Sequence, residues 1–271
     1  MNTLRYKLLD WVKNDKLNWK MLSYNNNAID LLKQNKSKIN WIYLSSNPNA
    51  IEFLKDNQHK IYWNSLSNNS NAIELLKNNK EKINWSSLSI NPNAIELLNE
   101  NQDKLDWNIL SFNINGIEIL KQNKKKINWN FLSSNPNGME LLKENKDKIN
   151  WFWLSSNPSV EAIELLKENK SKINWHELSS NRNAIDLLKE NQSNINWNEL
   201  CFNLHPDAIQ LLKMNYDRID WEYLSSNPNA IELLENNQDK INWFWLSKNP
   251  NIFKIYKNDQ LIQNDSTISW S

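Results

Sequence analysis

The chain has 271 residues, with 32 basic and 31 acidic side chains, a formal net charge of +1, two glycines and one cysteine. That balance gives no bulk attraction to nucleic acid or an anionic membrane, and Gly116 and Gly138 alone provide no glycine-rich phosphate loop. Cys201 by itself allows no internal disulfide and no cysteine-rich zinc site, which fits a reducing compartment.

Mean hydropathy is −0.75, yet 15 tryptophans argue for a packed core rather than disorder. The first segment, MNTLRYKLLDWVKND, lacks the uninterrupted apolar core of a signal peptide. No apolar run approaches the roughly 18 residues of a membrane span. A cytoplasmic protein without membrane contact is expected. Residues 1–18 are expected to form an N-terminal cap helix, around Leu8 to Val12 with Trp11.

From Trp19 onward the chain is one repeat. Trp19, Trp41, Trp63, Trp85, Trp107, Trp129, Trp151, Trp175, Trp197, Trp221 and Trp243 recur every 22 residues, except for two 24-residue intervals, Trp151 to Trp175 and Trp197 to Trp221. The unit reads W-x-x-L-S-x-N-P-N-A-I-E-L-L-K-x-N-x-x-K-I-N. Each unit predicts two helices. Asn or Asp before the Trp caps a short one, with Trp and Leu three apart on one face; Tyr62 breaks this cap column. The Asn six residues after the Trp (Asn25, Asn47 and on to Asn249) caps a second, with proline at its first position. Ala, Ile, Leu and Leu then give an apolar face at helical spacing over nine or ten residues. A closing Asn (Asn35 to Asn237) tolerates the left-handed conformation at a helix end. Glu52 with Lys55, and Glu140 with Lys143, are placed to pair on the wet side.

Neither helix could stand alone at this length, so stability is a sum over neighbouring units. The fold class is all-α, a helical-hairpin solenoid of about eleven units in a curved superhelix. At about 8–10 Å per unit the array is expected to be a curved rod roughly 100 Å long. The domain is single: cap helix 1–18, array 19–249, and a C-terminal cap helix and tail over 250–271, from Pro250 to about Gln263. Leucine-rich repeats share the unit length and an asparagine column, but they need an alternating L-x-L strand that this unit lacks.

The run INWFWLSSNPNAIELLKENKDKINW resembles the 22-residue repeat of proteins from giant DNA viruses of amoebae, the mimivirus group, over about residues 15 to 255. The Asn-, Lys- and Ile-rich spelling fits AT-rich coding. The resemblance implies a cytosolic repeat protein, in the host cytoplasm or in the virion, and carries over no catalytic residue.

Signals for chemistry are sparse. His59, His176 and His205 form no column. Cys201 and His205 have a metal-compatible spacing of four residues, but Cys201 replaces a recurring Ser and no second pair lies near. A Lys stripe (Lys16, Lys38, Lys60, Lys82, Lys104, Lys126, Lys148, Lys172, Arg218, Lys240, with Asn194 as the gap) could track phosphates, but an acidic stripe runs parallel. The Trp column reads as core. No catalytic residue, cofactor or metal is expected.

The informative positions vary between units: the two residues after each Trp, and the residue before the capping Asn. Ile42, Tyr24 and Ile90 belong to this set. The candidate partner-binding residues are Tyr43, Phe112, Phe131, Phe152, Trp153, Phe202, Tyr223, Phe244 and Trp245, since exposed apolar groups mark interfaces. Both lengthened units, NPSVEAIE around Pro158 and NLHPDAIQ around Pro206, flank the stretch that holds Trp153, the expected anchor. The expected function is a non-catalytic protein–protein interaction scaffold acting on a host or viral protein. A self-assembling structural or virion component is the alternative, followed by a phosphate-backbone binder using the Lys stripe.

Overall fold

The computed structural model describes residues 5–256. Eleven short helices begin at the periodic tryptophans, from Trp19–Tyr24 to Trp243–Leu246. Each is capped as its sequence requires. Asn40 Oδ1, for example, accepts from the amide of Tyr43 at 3.1 Å, and Asp106 accepts from Ile109 at 3.1 Å. Tyr62 provides no side-chain cap.

The second helices are shorter than the nine or ten residues expected. In eight units the α-helix has five or six residues, as in Ile51–Lys55 and Met139–Glu144. The reason lies at the capping Asn. Its backbone is extended (Asn47, φ −81° and ψ 116°), and a 3-10 turn such as Pro48–Ala50 precedes the α-helix. Only the two 24-residue units form nine-residue helices, Val160–Glu168 and Pro206–Met214. Their two extra residues free the helix start from the Asn turn and give it a cap of its own, Ser159 Oγ or His205 Nδ1.

The closing Asn is not left-handed. Asn35 has φ −128°, and no non-glycine residue among those described has positive φ. Instead its Nδ2 donates back to the carbonyl four residues earlier, Leu31 in that unit, at 2.9 Å. A 3-10 turn such as Lys36–Lys38 then leads to the next cap.

The core runs unbroken through every unit. The Leu three residues after each Trp is fully buried in all eleven units, as is the last Leu of each second helix. The Ala column packs against that Leu and holds small side chains in ten units; in the eleventh, Ile252 takes the position and is fully buried. Gly138 occupies it in one unit, where an added Cβ would lie 2.7 Å from Leu132 Cδ1.

The solenoid does not end. Asn47 Nδ2 donates to Ser23 O (3.2 Å) and Asn25 O (3.0 Å) of the unit before. Asn25 makes the same pair of bonds to Ser247 O (3.1 Å) and Asn249 O (2.9 Å). Asn18 N donates to Ser247 Oγ at 2.8 Å, and Asn27 Nδ2 to Pro250 O at 3.0 Å. The first unit therefore sits on the last as any unit sits on its predecessor. The curved rod is a closed ring. A contour of about 100 Å gives a mean diameter of about 30 Å.

The two ends complete the eleventh unit together. Neither expected cap helix forms among the described residues: the segment around Leu8 to Val12 is a strand end followed by a turn at Asp10–Trp11, and Pro250–Ile252 is a 3-10 turn. Strands lie beside them: Arg5–Leu8 pairs antiparallel with Phe253–Tyr256, with Leu8 opposite Phe253 and Arg5 opposite Tyr256. Leu9 N donates to Ile252 O at 2.9 Å, and Lys254 Nζ pairs with Asp10 Oδ2 at 2.9 Å. The rest of the expected C-terminal cap helix and tail, 257–271, and residues 1–4 lie outside the described residues. Backbones of most consecutive Trp helices come within 8 Å over much of their length, whereas those of most consecutive second helices do not. In a closed ring the more closely spaced layer has the smaller radius, so the Trp helices form the inner layer.

Candidate interaction surface

Three side-chain columns join the units. The first is the buried Asn six residues after each Trp. Its Nδ2 donates to two carbonyls of the preceding unit, and its Oδ1 takes the amide two residues on, as in Asn135 with Ser111 O (3.1 Å), Asn113 O (2.9 Å) and Asn137 N (3.0 Å). Sequence reading found the cap and missed the two donors. A second Asn, two residues later, also donates to the preceding unit, as Asn71 does to Pro48 O at 3.0 Å. Ser159 and His205 replace it in the two lengthened units.

The third column is the Ser after each buried Leu. Ser45 Oγ donates to Trp41 O (2.7 Å) and accepts from the next unit's Tyr62 amide (3.0 Å). At Cys201 the thiol takes over the donation to Trp197 O. Burial pushes that thiol up to about 12. Cys201 and His205 thus hold structural posts. Among the described residues no group of three or more His, Cys, Asp or Glu converges on a metal position.

The periodic tryptophans are half-buried, with one side packed on the core. The outer face of ten of them carries a cation from the next unit. Lys38 lies over Trp19 at 4.4 Å, Lys126 over Trp107 at 4.3 Å and Arg218 over Trp197 at 5.1 Å from the ring centroid. Lys16 over Trp243, at 5.3 Å, carries the series through the closure. The Lys stripe is therefore bound up with the Trp column. A shared 22-residue period was the available signal.

The acidic stripe pairs laterally across second helices: Lys77 with Glu96 (2.7 Å) and Lys121 with Glu140 (2.8 Å). Hydrogen bonds to these lysines hold the Glu96 and Glu140 carboxyls below the usual range. Glu52 pairs with Lys55 as expected, at 2.8 Å, while Glu140 turns to Lys121 of the preceding unit rather than to Lys143. Such exposed pairs are screened by solvent and contribute little to stability.

The variable positions lie on the side of the Trp helix opposite its core leucine, which in the ring is the side toward the axis. Here the candidate residues meet across units. Phe112 stands edge-on to Phe131 (6.3 Å), Phe131 to Trp153 (5.7 Å), and Trp153 to Phe152 (5.5 Å). Phe112 and Phe152 are exposed; Phe131 and Trp153 are half-buried. This arc spans three consecutive units.

A second arc crosses the closure. Phe202 packs on Tyr223 at 4.8 Å, and Phe244 on Trp245 at 5.5 Å. Trp245 Nε1 donates to Glu222 at 2.9 Å. Lys248 reaches both Trp245 and Tyr24, and Tyr24 stands edge-on to Tyr43 at 6.3 Å. Tyr43, Phe202, Tyr223 and Trp245 are half-buried and Phe244 is exposed. Between the arcs most of the same positions are polar, with Ile90 the apolar exception. His176 sits 3.4 Å from Glu177 and 3.5 Å from Glu199 on one side, and Asn64, Ser65, Ser86 and Ser87 lie on the other.

The insertions extend second helices, away from the aromatic positions on the Trp helices; Val160 is exposed there. Among the described residues no helix is long and apolar enough to cross a membrane. Comparison of the chain with protein-family models, with curated proteins and with solved structures finds no match.

Proposed function

We propose that the ring is a non-catalytic scaffold for protein–protein interaction, with a host or viral polypeptide docking on its aromatic positions. The supporting observation is the arc Phe112–Phe131–Trp153–Phe152. Four large aromatic side chains from three consecutive units touch one another on the wet side of the Trp helices, where the core does not need them. Aromatic clusters of this kind supply interface hot spots, because they offer large apolar area for few rotatable bonds.

The likeness of the unit to giant-virus repeats supports a place in the cytoplasm of an infected amoeba or in the virion. Against end-to-end self-assembly, both end units are already paired with each other. Against a phosphate-tracking stripe, its cations lie over tryptophan rings. Trp153→Ser tests the docking reading by affinity capture from infected cells with mass spectrometry. Helicity and melting temperature should stay nearly unchanged while capture of the wild-type partner is lost. A folded variant that captures the partner normally overturns the docking claim; an unfolded one places Trp153 in the core.

A further inference from the structure

Trp175 breaks the series of covered tryptophans. In the ten other units a Lys or Arg cation of the next unit lies 4.3–5.5 Å from the ring centroid. The residue in register with those cations over Trp175 is Asn194, which is exposed and uncharged. Its whole turn, Gln192–Asn194, contains no charged side chain, whereas every other turn of this register carries a basic residue. Among the described residues, no Lys or Arg lies over Trp175.

The local charge is of matching sign. Between Asn174 and Leu200 the chain has Glu177, Asp186, Glu190 and Glu199 against only Arg182 and Lys189. Lys189 is already paired with Asp207 and Asp186. Glu177 and Glu199 flank His176, the residue next to Trp175. An aromatic face in an acidic stretch, on a scaffold that seats a cation on ten equivalent faces, suits an ammonium or guanidinium group.

We propose that the face of Trp175 binds a lysine or arginine side chain of a partner polypeptide, which takes the place the next unit's cation holds elsewhere in the ring. The proposal deepens the interaction reading and rests on it for the source of the cation. The geometry of the site is set by the ten filled examples, nine lysines and Arg218: a flexible aliphatic stem with its charge against the indole. The acids nearby favour a cation over a neutral side chain, and the turn Gln192–Asn194 offers no competing charge.

The test uses the full chain labelled with 5-fluorotryptophan. The Trp175 fluorine resonance is assigned by its loss in Trp175→Phe. The probe is N-acetyl-lysine N-methylamide, with the norleucine compound as its uncharged match. The Trp175 resonance should shift on titration more than those of the covered tryptophans, with about two- to fivefold tighter half-saturation for the lysine compound, as one exposed cation–π contact gives. Asn194→Lys, which restores the repeat, should move that resonance without probe and abolish the response. Equal response to norleucine, a response no larger than at covered tryptophans, or an undiminished response in Asn194→Lys overturns the proposal. Partner capture through Trp153 is read separately, so a silent Trp175 with capture intact defeats this site alone.

Discussion

Asn135→Ala should destabilise the ring by more than the loss of a helix cap. A cap alone contributes about 0.5–2 kcal/mol. Asn135 is 1% exposed and makes three hydrogen bonds, two of them to the unit before. Asn113 O keeps the amide of Gly116 as a partner, whereas the carbonyl of buried Ser111 would be left without the Asn135 amide. At about 0.5–1.5 kcal/mol net per bond, with a further penalty for an orphaned buried group, the expected cost is about 2–4 kcal/mol by urea denaturation. Asn135→Asp sharpens the test. It keeps the Oδ1 acceptor but turns a carboxylate oxygen toward two carbonyls, so it should be at least as damaging. Asn130→Ala, at an exposed position in the same unit, should cost under about 0.5 kcal/mol. A value for Asn135→Ala no larger than for Asn130→Ala, or a stable Asn135→Asp, would refute the ladder.

Much of the unit was legible in the sequence because its signals are local. Asn40 and Asp106 cap where a cap was expected, Tyr62 does not, and the leucines three residues after each Trp are buried. The misreadings have one cause: contacts between units. Helix signals around Pro48 and Ala50 suggested one long helix, but Asn47 is tied to Ser23 and Asn25, and that tether holds the start in a 3-10 turn. Asn35 looked like a left-handed stop and instead folds its amide back onto Leu31. Lys38 looked free for phosphate and lies over Trp19. The ring itself is written in no single column. Closure of eleven units needs about 33° of rotation at each interface, a small angle that accumulates along a repeat array. The strand pair Arg5–Leu8 and Phe253–Tyr256 reads from sequence as two atypical ends, and only the closed geometry brings them together. The candidate aromatics were legible as positions, but not their grouping into two arcs, which depends on which neighbours touch.

Further outcomes follow from the columns and from closure. Cys201 should resist alkylation in the native protein, because burial holds its thiol up to about 12. A pKa raised above the unfolded value near 9 means the stability it supports is intact below about pH 9 and is lost as pH rises toward 12. Wild type should therefore lose about 1 kcal/mol more than Cys201→Ser between pH 7.5 and pH 10, read from urea midpoints; equal losses would contradict the buried thiol. Asn194→Lys should raise the unfolding free energy by about 0.5–1 kcal/mol through the restored contact with Trp175, read as a higher urea midpoint, and an unchanged or lowered midpoint would count against the Lys–Trp series as a stabilising element. The ring is tested most directly by circular permutation. Arg5 and Tyr256 face each other in the strand pair, so a two-residue Asn-Gly hairpin can join them. The same linker could never span the ends of an open rod roughly 100 Å long. New termini belong in the exposed Lys124–Lys126 turn. The permutant should keep the helical circular dichroism and unfold cooperatively within about 2 kcal/mol of the parent, since every unit interface survives and only one turn is cut. Loss of cooperative unfolding, or a chain that folds only when the joining linker is lengthened to tens of residues, would mean that the first and last units do not meet.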